Sequence, residues 1–414
     1  MEVPLRFGAE LRRLRQEAGL TLQKLADEMS YSKGHLCKIE RGDKPPAMEL
    51  VRRCDAFFAA DGKLCRTVEP DAAPATGRPA LDRRQVIATG VGSLLAVALP
   101  DGGSRPLCES GEERRAVPAE LPPEALFHNQ LRQMKELGQS TDPAVLLPVL
   151  QAQATTVTTL AAQATGSARA GLLVAASHFA VHIGWIAQEA GNEGGALRWT
   201  AQAVELATAG GDEQLVDYAL VRRALLTFYN GQAAETIALA QQAQRSGAPA
   251  RIRGLAARRE AQGHALAGDE RACGRALERA RVLLAEGAAS ADGPVLGTTQ
   301  VADPVSMVTG WCLYDLGRPR EAAKVLGREC GRIAPQALNT RMRYGLRGAL
   351  AEAASGEIDR SCATARELLA FAKIVPSATV RTDVRRLDRE WSRFRGHPDV
   401  RELRPSLANV LNPN

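Results

Sequence analysis

Basic and polar side chains recur at helical spacing between Ser32 and Lys44. If Leu36 and Ile39 face a core, the opposite face of the same helix carries Lys33, Gly34, Cys37, Lys38 and Arg41. A lysine can donate to the O6/N7 edge of guanine, and the other cations suit phosphate oxygens. These residue types at this spacing predict a helix that lies in the major groove of DNA.

The candidates divide by their place along the helix. The N-terminal part of a recognition helix enters the groove. The base-edge candidates are therefore Ser32, Lys33, Gly34 and His35. The phosphate candidates, which fix register without reading sequence, are Lys38, Arg41 and Lys44. An alternative is that these residues form the solvated, charged face of a protein-binding domain. Cys37 is either a redox-sensitive thiol among cations or a small residue tolerated at the surface.

Residues Thr21 to Gly42 have the pattern of two short amphipathic helices joined by a tight turn. Thr21 and Ser32 are suited to cap the two helices, Gly42 is a natural C-cap, and Pro45-Pro46 end the second helix. The predicted inward residues are Leu22, Leu25, Ala26, Met29, Leu36 and Ile39. Two such short helices cannot bury themselves alone. We expect helices at 5–17 and 47–58 to close a small core, which gives a helix-turn-helix domain over residues 1–66.

Composition sets limits on the rest of the chain. It has 414 residues and a net charge of +6. Residues 1–66 carry 13 Lys or Arg against 10 Asp or Glu, an excess of only three positive charges. Such a domain depends on placed contacts more than on a bulk field. The eight scattered cysteines predict neither a disulfide framework nor a zinc site. A charged N-terminus without a signal peptide then predicts a cytoplasmic protein.

Residues 67–120 are rich in Pro, Ala and Gly at both ends and are predicted to be a linker. Within it, residues 86–99 carry no charge and follow Arg83-Arg84. We favour a buried helix or a hydrophobic linker here, because a membrane span needs roughly 18 apolar residues. A membrane anchor is the alternative. The Gly90-x-Gly92 pair lacks the rest of a dinucleotide fingerprint.

From residue 121 to 414 the pattern is helical and repeats. Five glycines stand at turns between predicted helices: Gly191, Gly231, Gly268, Gly317 and Gly356. Small residues precede each by seven positions (Gly184, Ala224, Ala261, Gly310, Ala349) and follow it by five (Ala196, Thr236, Cys273, Ala322, Ser361). These offsets mark the closest approach of two antiparallel helices. Residues 286–304 are predicted to be a turn-rich insertion.

Large polar and aromatic side chains cluster near the first helices of successive repeats. They are Trp185, Tyr218, Arg222, Tyr229, Trp311, Tyr314 and Tyr344. They predict either an effector groove or an ordinary core between repeats.

No arrangement of residues predicts catalysis. His178 and His182 have metal-compatible i, i+4 spacing, but Phe179 follows the first histidine where a zincin carries Glu, so packing or groove-lining roles are favoured. No phosphate loop, Ser/His/Asp motif or paired-carboxylate motif is visible. We therefore predict no enzyme activity, no metal and no cofactor.

The N-terminal segment resembles the Xre/Cro (lambda-repressor-like) helix-turn-helix family from about Phe7 to Leu64. The resemblance is carried by Gly19-Leu20-Thr21, Leu25-Ala26, Tyr31-Ser32-Lys33 and Ile39-Glu40-Arg41-Gly42. It implies DNA contacts near the start of the first helix of the motif, at Thr21 and Gln23. Many members carry Gln directly after the cap, and this Gln supports a contact to DNA. This chain has Leu22 at that position, so that contact is not expected here.

The later phasing resembles the tetratricopeptide repeat, in which helix pairs stack into a solenoid. The small positions match, and Ala203, Ala243 and Ala280 match a further one twelve residues after the glycine. The combination resembles actinobacterial regulators of this architecture. We thus predict an all-α chain, with an N-terminal helix-turn-helix domain joined by a linker to an α-solenoid of tetratricopeptide-like pairs.

The sequence predicts a sequence-specific transcriptional regulator that binds double-stranded DNA as a homodimer. Its repeats are expected to bind a peptide, small-molecule or protein effector, or a second protomer. The competing hypothesis is an interaction scaffold whose N-terminal domain has a non-DNA role. Membrane-tethered regulation through residues 86–99 is a third hypothesis.

Overall fold

The computed structural model describes residues 2–29, 31–60, 62–68, 122–245, 247–289, 296–297 and 300–412. Within these ranges the chain has nineteen α-helices, one 3₁₀ turn and no strand, which confirms the all-α prediction. The hydrophobic segment at 86–99 and the linker from residue 69 onward lie outside the described residues.

Five helices form the N-terminal domain: α1 (Glu2–Glu17), α2 (Leu22–Met29), α3 (Lys33–Glu40), α4 (Met48–Phe57) and α5 (Lys63–Val68). The backbone N–H of Lys24 donates to Thr21 Oγ1, and that of His35 to Ser32 Oγ, both at 3.2 Å. Both predicted N-caps are therefore present. Gly42 has a φ of +77°, the left-handed conformation expected of a residue just after a helix.

The core of this domain is built from the inward positions predicted from the sequence. The fully or almost fully buried ones are Phe7, Leu11, Leu25, Ala26, Met29, Leu36, Ile39, Leu50, Val51 and Cys54. Leu14, Leu22 and Phe58 pack against them partly buried. Helix α5, which the sequence reading did not separate, adds Leu64 and Cys65.

Fourteen helices form the repeat domain: α6 (Pro123–Leu137), α7 (Pro143–Gln163), α8 (Gly166–Glu189), α9 (Glu193–Gly210), α10 (Glu213–Tyr229), α11 (Ala233–Arg245), α12 (Ala250–Leu266), α13 (Glu270–Ala289), α14 (Pro304–Asp315), α15 (Pro319–Cys330), α16 (Leu338–Ala354), α17 (Ile358–Phe371), α18 (Ala378–Trp391) and α19 (Pro398–Leu411). Consecutive helices from α8 onward pack as pairs, and the first helices α10 to α18 stack on one another in chain order. This is the stacked-hairpin arrangement of a helical solenoid.

The predicted repeat geometry is present in detail. All five turn glycines have φ between +74° and +87°. A Cβ on Gly184 would lie 3.3 Å from the carbonyl oxygen of Ala196, and the Ser361 hydroxyl donates to Ala349 O at 2.8 Å. In these two hairpins the residues seven before and five after the turn glycine thus meet, whereas a Cβ on Gly310 would meet Leu326 and Val325. Larger side chains there would separate the two helices.

The start of the predicted insertion at 286–304 is wrong, because α13 continues to Ala289. Gly287 is not a turn residue. A Cβ at Gly287 would lie 2.7 Å from the backbone nitrogen of Arg251, so this glycine lets α13 pack closely on the start of α12. Residues 290–295 and 298–299 of the insertion lie outside the described residues.

The superhelix curls until its beginning meets its end. Gln139, in the α6–α7 connection, accepts from the backbone N–H of Asn339 at 2.9 Å and from the Thr340 hydroxyl at 2.7 Å. The Glu189 carboxylate, at the end of α8, accepts from the hydroxyls of Ser377 and Thr379 at the start of α18. These contacts close the first helices around an internal cavity.

The N-terminal domain packs directly against the repeat domain. A Cβ on the turn residue Gly317 would lie 2.3 Å from the carbonyl oxygen of Arg52, so only glycine fits there. The Arg52 guanidinium reaches Asp315 at 3.2 Å. Arg393, which lies in the 3₁₀ turn after α18, donates to Met29 O at 3.2 Å. Pairing between residues so distant in sequence joins the two domains into one compact unit.

Candidate nucleic-acid interface and repeat-domain cavity

Helix α3 presents its predicted contact face outward. Of the nine predicted DNA-contacting residues, His35 is half-buried and the others are exposed: Thr21, Gln23, Ser32, Lys33, Gly34, Lys38, Arg41 and Lys44. A Cβ on Gly34 would meet nothing within 4 Å, so the backbone there is open to a ligand. These residues are therefore accessible to a ligand, while Leu36 and Ile39 of α3 are buried in the core.

Helix α3 is held firmly from behind. Arg15 of α1 makes two bonds to the Glu40 carboxylate, from Nε at 2.6 Å and from Nη2 at 3.0 Å. A Cβ on Gly8 would lie 2.4 Å from the carbonyl oxygen of Ile39, which shows how closely α1 approaches α3. A bidentate pair and close packing orient a helix well. The contact face can thus be positioned before any DNA arrives.

Two candidates already bind carboxylates. Gln23 donates to Asp27 at 2.9 Å on its own helix, and Arg41 pairs with Asp43 at 3.0 Å. Both members of the Arg41 pair are more than half exposed, with 59% and 53% of their side-chain surface accessible. Exposed pairs contribute little free energy, so phosphate oxygens can replace these carboxylates. The Ser32 hydroxyl already accepts the capping bond from His35.

His35 connects the contact face to the repeat domain. The His35 ring centroid lies 5.0 Å from that of Tyr31, and the Arg393 guanidinium lies 4.5 Å from the centroid of the Tyr31 ring. Burial lowers the pKa of His35, and the nearby charges of Lys44, Arg393 and Lys38 lower it further. The imidazole is therefore neutral at pH 7. It has one donor and one acceptor to offer to a base edge.

Sequence reasoning did not find Arg393, because it stands 362 positions from Tyr31 in the chain and no local pattern links them. Cys37 is half-buried on α3.

The repeat domain contains a cavity of about 150 Å³ on the inner side of its first helices. Its twenty lining residues come from α6, α8, α10, α12, α16, the α6–α7 connection and residues 296–300. Of the predicted groove residues, Trp185, Tyr218, Arg222 and Tyr344 line it. Trp311 and Tyr314 do not line it and belong to the core of the later repeats. Tyr229 packs edge-on to the Trp311 ring, 6.1 Å away.

The charges of the cavity are unbalanced. Among the twenty lining residues that the structure describes, five are cationic and none is acidic: the cations are Lys135, Arg222, Arg258, Arg259 and Arg343. Only Arg222 was identified from the sequence. The others lacked an aromatic or periodic signal, although an Arg258-Arg259 pair is unusual for a buried helix.

The two histidines of α8 have separate environments. His182 stacks on Trp185 with ring centroids 5.6 Å apart. Burial lowers the pKa of His182 to about 3, and the charges of Lys135 and Arg222 contribute, so the ring stays neutral. His178 lies 3.6 Å from the Asp212 carboxylate. In the described residues the side chains grouped closely enough for a metal ion are Asp359, His397 and Asp399 on the outer surface, and not these histidines.

Helices α7 and α8 are long and apolar enough to cross a membrane by length and composition alone. Within α8, however, 72% of the most apolar window is buried inside the repeat domain. Core helices of soluble proteins pass the same test.

Residues 6–67 match a protein-family model described as a helix-turn-helix domain. Comparison with curated proteins and with solved structures gave no significant match. The match spans α1 to α5 and includes every residue of the contact face. The N-terminal domain is a helix-turn-helix domain, with α3 in the place of the recognition helix.

Proposed function

We propose that this chain is a sequence-specific, DNA-binding transcriptional regulator whose repeat domain binds an effector in its internal cavity. The observation that carries the proposal is the outward face of α3, which is capped, held from behind and lined by cations and hydrogen-bonding groups. Lys33, Gly34 and the neutral His35 are the candidates for reading bases. Lys38, Arg41 and Lys44 are the candidates for holding phosphates.

Within helix-turn-helix proteins, we assign the domain to the Xre/Cro type and the repeats to the tetratricopeptide-like type. The first assignment is supported by the capped pair α2 and α3 ending at Gly42. The second is supported by helix hairpins with a left-handed glycine in the turn. The preference for arginine, with only 8 lysines among 53 basic residues, is consistent with the actinobacterial type.

We further propose a homodimer in the cytoplasm. One recognition helix makes few base contacts, and regulators of this class bind two half-sites a helical turn apart. The eight cysteines are scattered along the sequence without a C-x-x-C pair, a pattern common in proteins of a reducing compartment. Sedimentation of the full chain with and without DNA measures the stoichiometry.

A chain of contacts leads from the cavity to the DNA-binding domain. The ring of the lining residue Tyr344 lies 5.6 Å from Trp311, and the Arg347 guanidinium lies 4.5 Å above Trp311. Arg347 reaches Asp315 at 3.8 Å, and Asp315 pairs with Arg52 of α4 at 3.2 Å. A ligand that repacks Tyr344 would thus alter the docking of the DNA-binding domain. This supports regulation by relative domain placement.

Gel-shift titration against genomic fragments at defined salt tests the proposal. We expect binding above the nonspecific level, and a loss of about tenfold or more in the Lys33→Ala and His35→Ala variants. Lys373→Ala, an exposed lysine of the repeat domain, is the control and should bind like the unchanged chain. Absence of specific binding, with no effect of either variant, would favour the interaction scaffold instead.

A further inference from the structure

In the described residues, the cationic side chains of the cavity form no ion pair with a carboxylate, whereas the buried Arg347 does. Arg347, also buried, pairs with Asp383 at 3.1 Å and lies 3.8 Å from Asp315. Arg258 is only 3% exposed, yet none of the hydrogen bonds or ion pairs of the described residues involves it. The chain therefore neutralises one buried arginine and leaves another uncompensated.

The neighbouring cavity arginines are only partly satisfied. Arg222 donates from Nη2 to Gln188 at 3.2 Å, and Arg259 donates from Nη1 to Gln262. The Nε atoms of Arg222, Arg258, Arg259 and Arg343 are buried and have no hydrogen-bond partner among the described residues. All four residues line the same cavity.

The Glu189 carboxylate acts on only part of this group, and its oxygens are already in use. Glu189 acts on Arg222 and Arg343 through its charge. Its oxygens, however, already accept the hydroxyl protons of Ser377 and Thr379 across the closure of the superhelix. Burial, with the charges of Arg258 and Arg343, lowers the pKa of Arg259 to about 9. The guanidinium groups thus remain charged at neutral pH, as arginine does in proteins.

An uncompensated buried charge is costly, and burial is tolerated where a charged partner restores the balance. Guanidinium groups present a planar fork that matches carboxylate and phosphate oxygens. The cavity also has an apolar side, formed by Trp185, Tyr218 and Leu255. The missing partner is therefore expected to combine anionic oxygens with an apolar or aromatic body.

The size of the cavity selects among such ligands. Its volume of about 150 Å³ resembles that of cavities that hold a benzene-sized molecule. The cavity is only partly enclosed, so charged groups attached to a body of this size can extend beyond that volume. A small organic anion fits this space.

We infer that the cavity binds a small organic anion with two or more carboxylate or phosphate groups, held by Arg222, Arg258, Arg259 and Arg343. The inference rests on the proposed assignment of the cavity as the effector site. It names the chemistry of the effector, which the proposed function leaves open.

Calorimetry and thermal unfolding of the full chain, without DNA, test the inference. The probes are inorganic phosphate and benzene-1,3-dicarboxylate, with the neutral benzene-1,3-dicarboxamide as reference, all at matched ionic strength. The variants are Arg222→Gln and Arg258→Gln. Arg223→Gln is the matched control, because Arg223 is the exposed neighbour of Arg222 on α10.

We expect at least one anionic probe to bind and to raise the melting temperature, while the dicarboxamide does not. Arg222→Gln and Arg258→Gln should weaken that binding by about tenfold or more, as expected for a charge-assisted bond, and Arg223→Gln should not. Without ligand, Arg258→Gln should melt no lower than the unchanged chain. Whether phosphate or dicarboxylate binds more tightly identifies the source of the anionic oxygens.

The inference is overturned if neither anion binds, if the dicarboxamide binds equally well, or if the two cavity variants bind like Arg223→Gln. DNA binding, measured separately by gel shift, tests the proposed function. An anion that binds the cavity of a chain with no specific DNA binding upholds the inference and removes the regulator proposal. Specific DNA binding by a chain that binds no anion upholds the regulator proposal and removes the inference.

Discussion

The contact between the two domains depends on a buried carboxylate, and its removal makes a quantitative prediction. Asp315 is 1% exposed and lies 3.2 Å from Arg52, 3.8 Å from Arg347 and 3.9 Å from Arg386. Asp383, 3.1 Å from Arg347, is the second carboxylate of this cluster. Three cations thus face two anions. Asp315→Asn leaves three cations with one anion in a buried site.

Removing one partner of a buried ion pair costs about 3–5 kcal/mol. We expect Asp315→Asn to lower the free energy of unfolding by that amount. Arg52→Met should cost only about 1 kcal/mol, because it leaves Arg347 and Arg386 balanced by the two carboxylates. Its effect should appear at the domain contact. Hydrogen exchange should therefore quicken in α4 and in the turn at Gly317, and remain slow inside the repeat domain.

Urea denaturation and hydrogen exchange of the full chain measure both effects. Arg404→Met is the control, since Arg404 pairs with Asp388 at 3.5 Å within the repeat domain and both side chains are more than a third exposed. This control should change stability by less than about 0.5 kcal/mol. The reasoning fails if Asp315→Asn costs less than about 1 kcal/mol, or if Arg52→Met costs as much as Asp315→Asn.

Two further predictions concern the interior of the repeat domain. The pKa of His182 is about 3 in the folded protein, and its ordinary value is 6.5. Between these two pH values His182 is protonated in the unfolded chain and neutral in the folded chain. Stability should therefore fall as the pH drops from 7 to 5, by about 2 kcal/mol from this group. His182→Asn should remove that part of the pH dependence, as measured by urea denaturation. Identical pH profiles for His182→Asn and the unchanged chain would contradict the lowered pKa of His182. Gly184→Val should destabilise the fold by about 2 kcal/mol or more, since its side chain would meet Ala196 O and Thr200. At Gly274 nothing lies within 4 Å of a Cβ, so Gly274→Ala should stabilise the fold by about 0.5–1 kcal/mol. Equal shifts of the melting temperature in the two glycine variants would show that the close approach of the helices at Gly184 does not matter for stability.

Much of this fold was predictable because the signals are local. Thr21 and Ser32 indicate where helices begin, because their hydroxyls cap the first turn. Gly191 and its four counterparts announce turns, because only a residue without Cβ adopts their φ easily. The small residues seven before and five after these glycines report a contact within one hairpin, which is also close in sequence.

The rest depends on contacts that no local pattern encodes. Gly317 is a turn glycine in the sequence, but its second role against Arg52 O comes from domain docking. Gly287 looks like a loop residue and is in fact a helix contact. Arg258 resembles a solvated helix residue until the superhelix closes through Gln139 and encloses it. The aromatic residues showed a similar limit, since Trp185 lines the cavity while Trp311, three repeats later, is core.

The central claim is that α3 reads DNA sequence, and the ratio of specific to nonspecific affinity tests it most directly. Dissociation constants should be measured for a selected operator and a scrambled duplex of equal length, at one salt concentration, for the unchanged chain and for Lys33→Ala and Lys38→Ala. We predict a ratio of about 10³ or more for the unchanged chain. Lys33→Ala should lose about tenfold or more on the operator alone, whereas Lys38→Ala should weaken both duplexes alike. Equal affinity of the unchanged chain for the two duplexes would contradict the account.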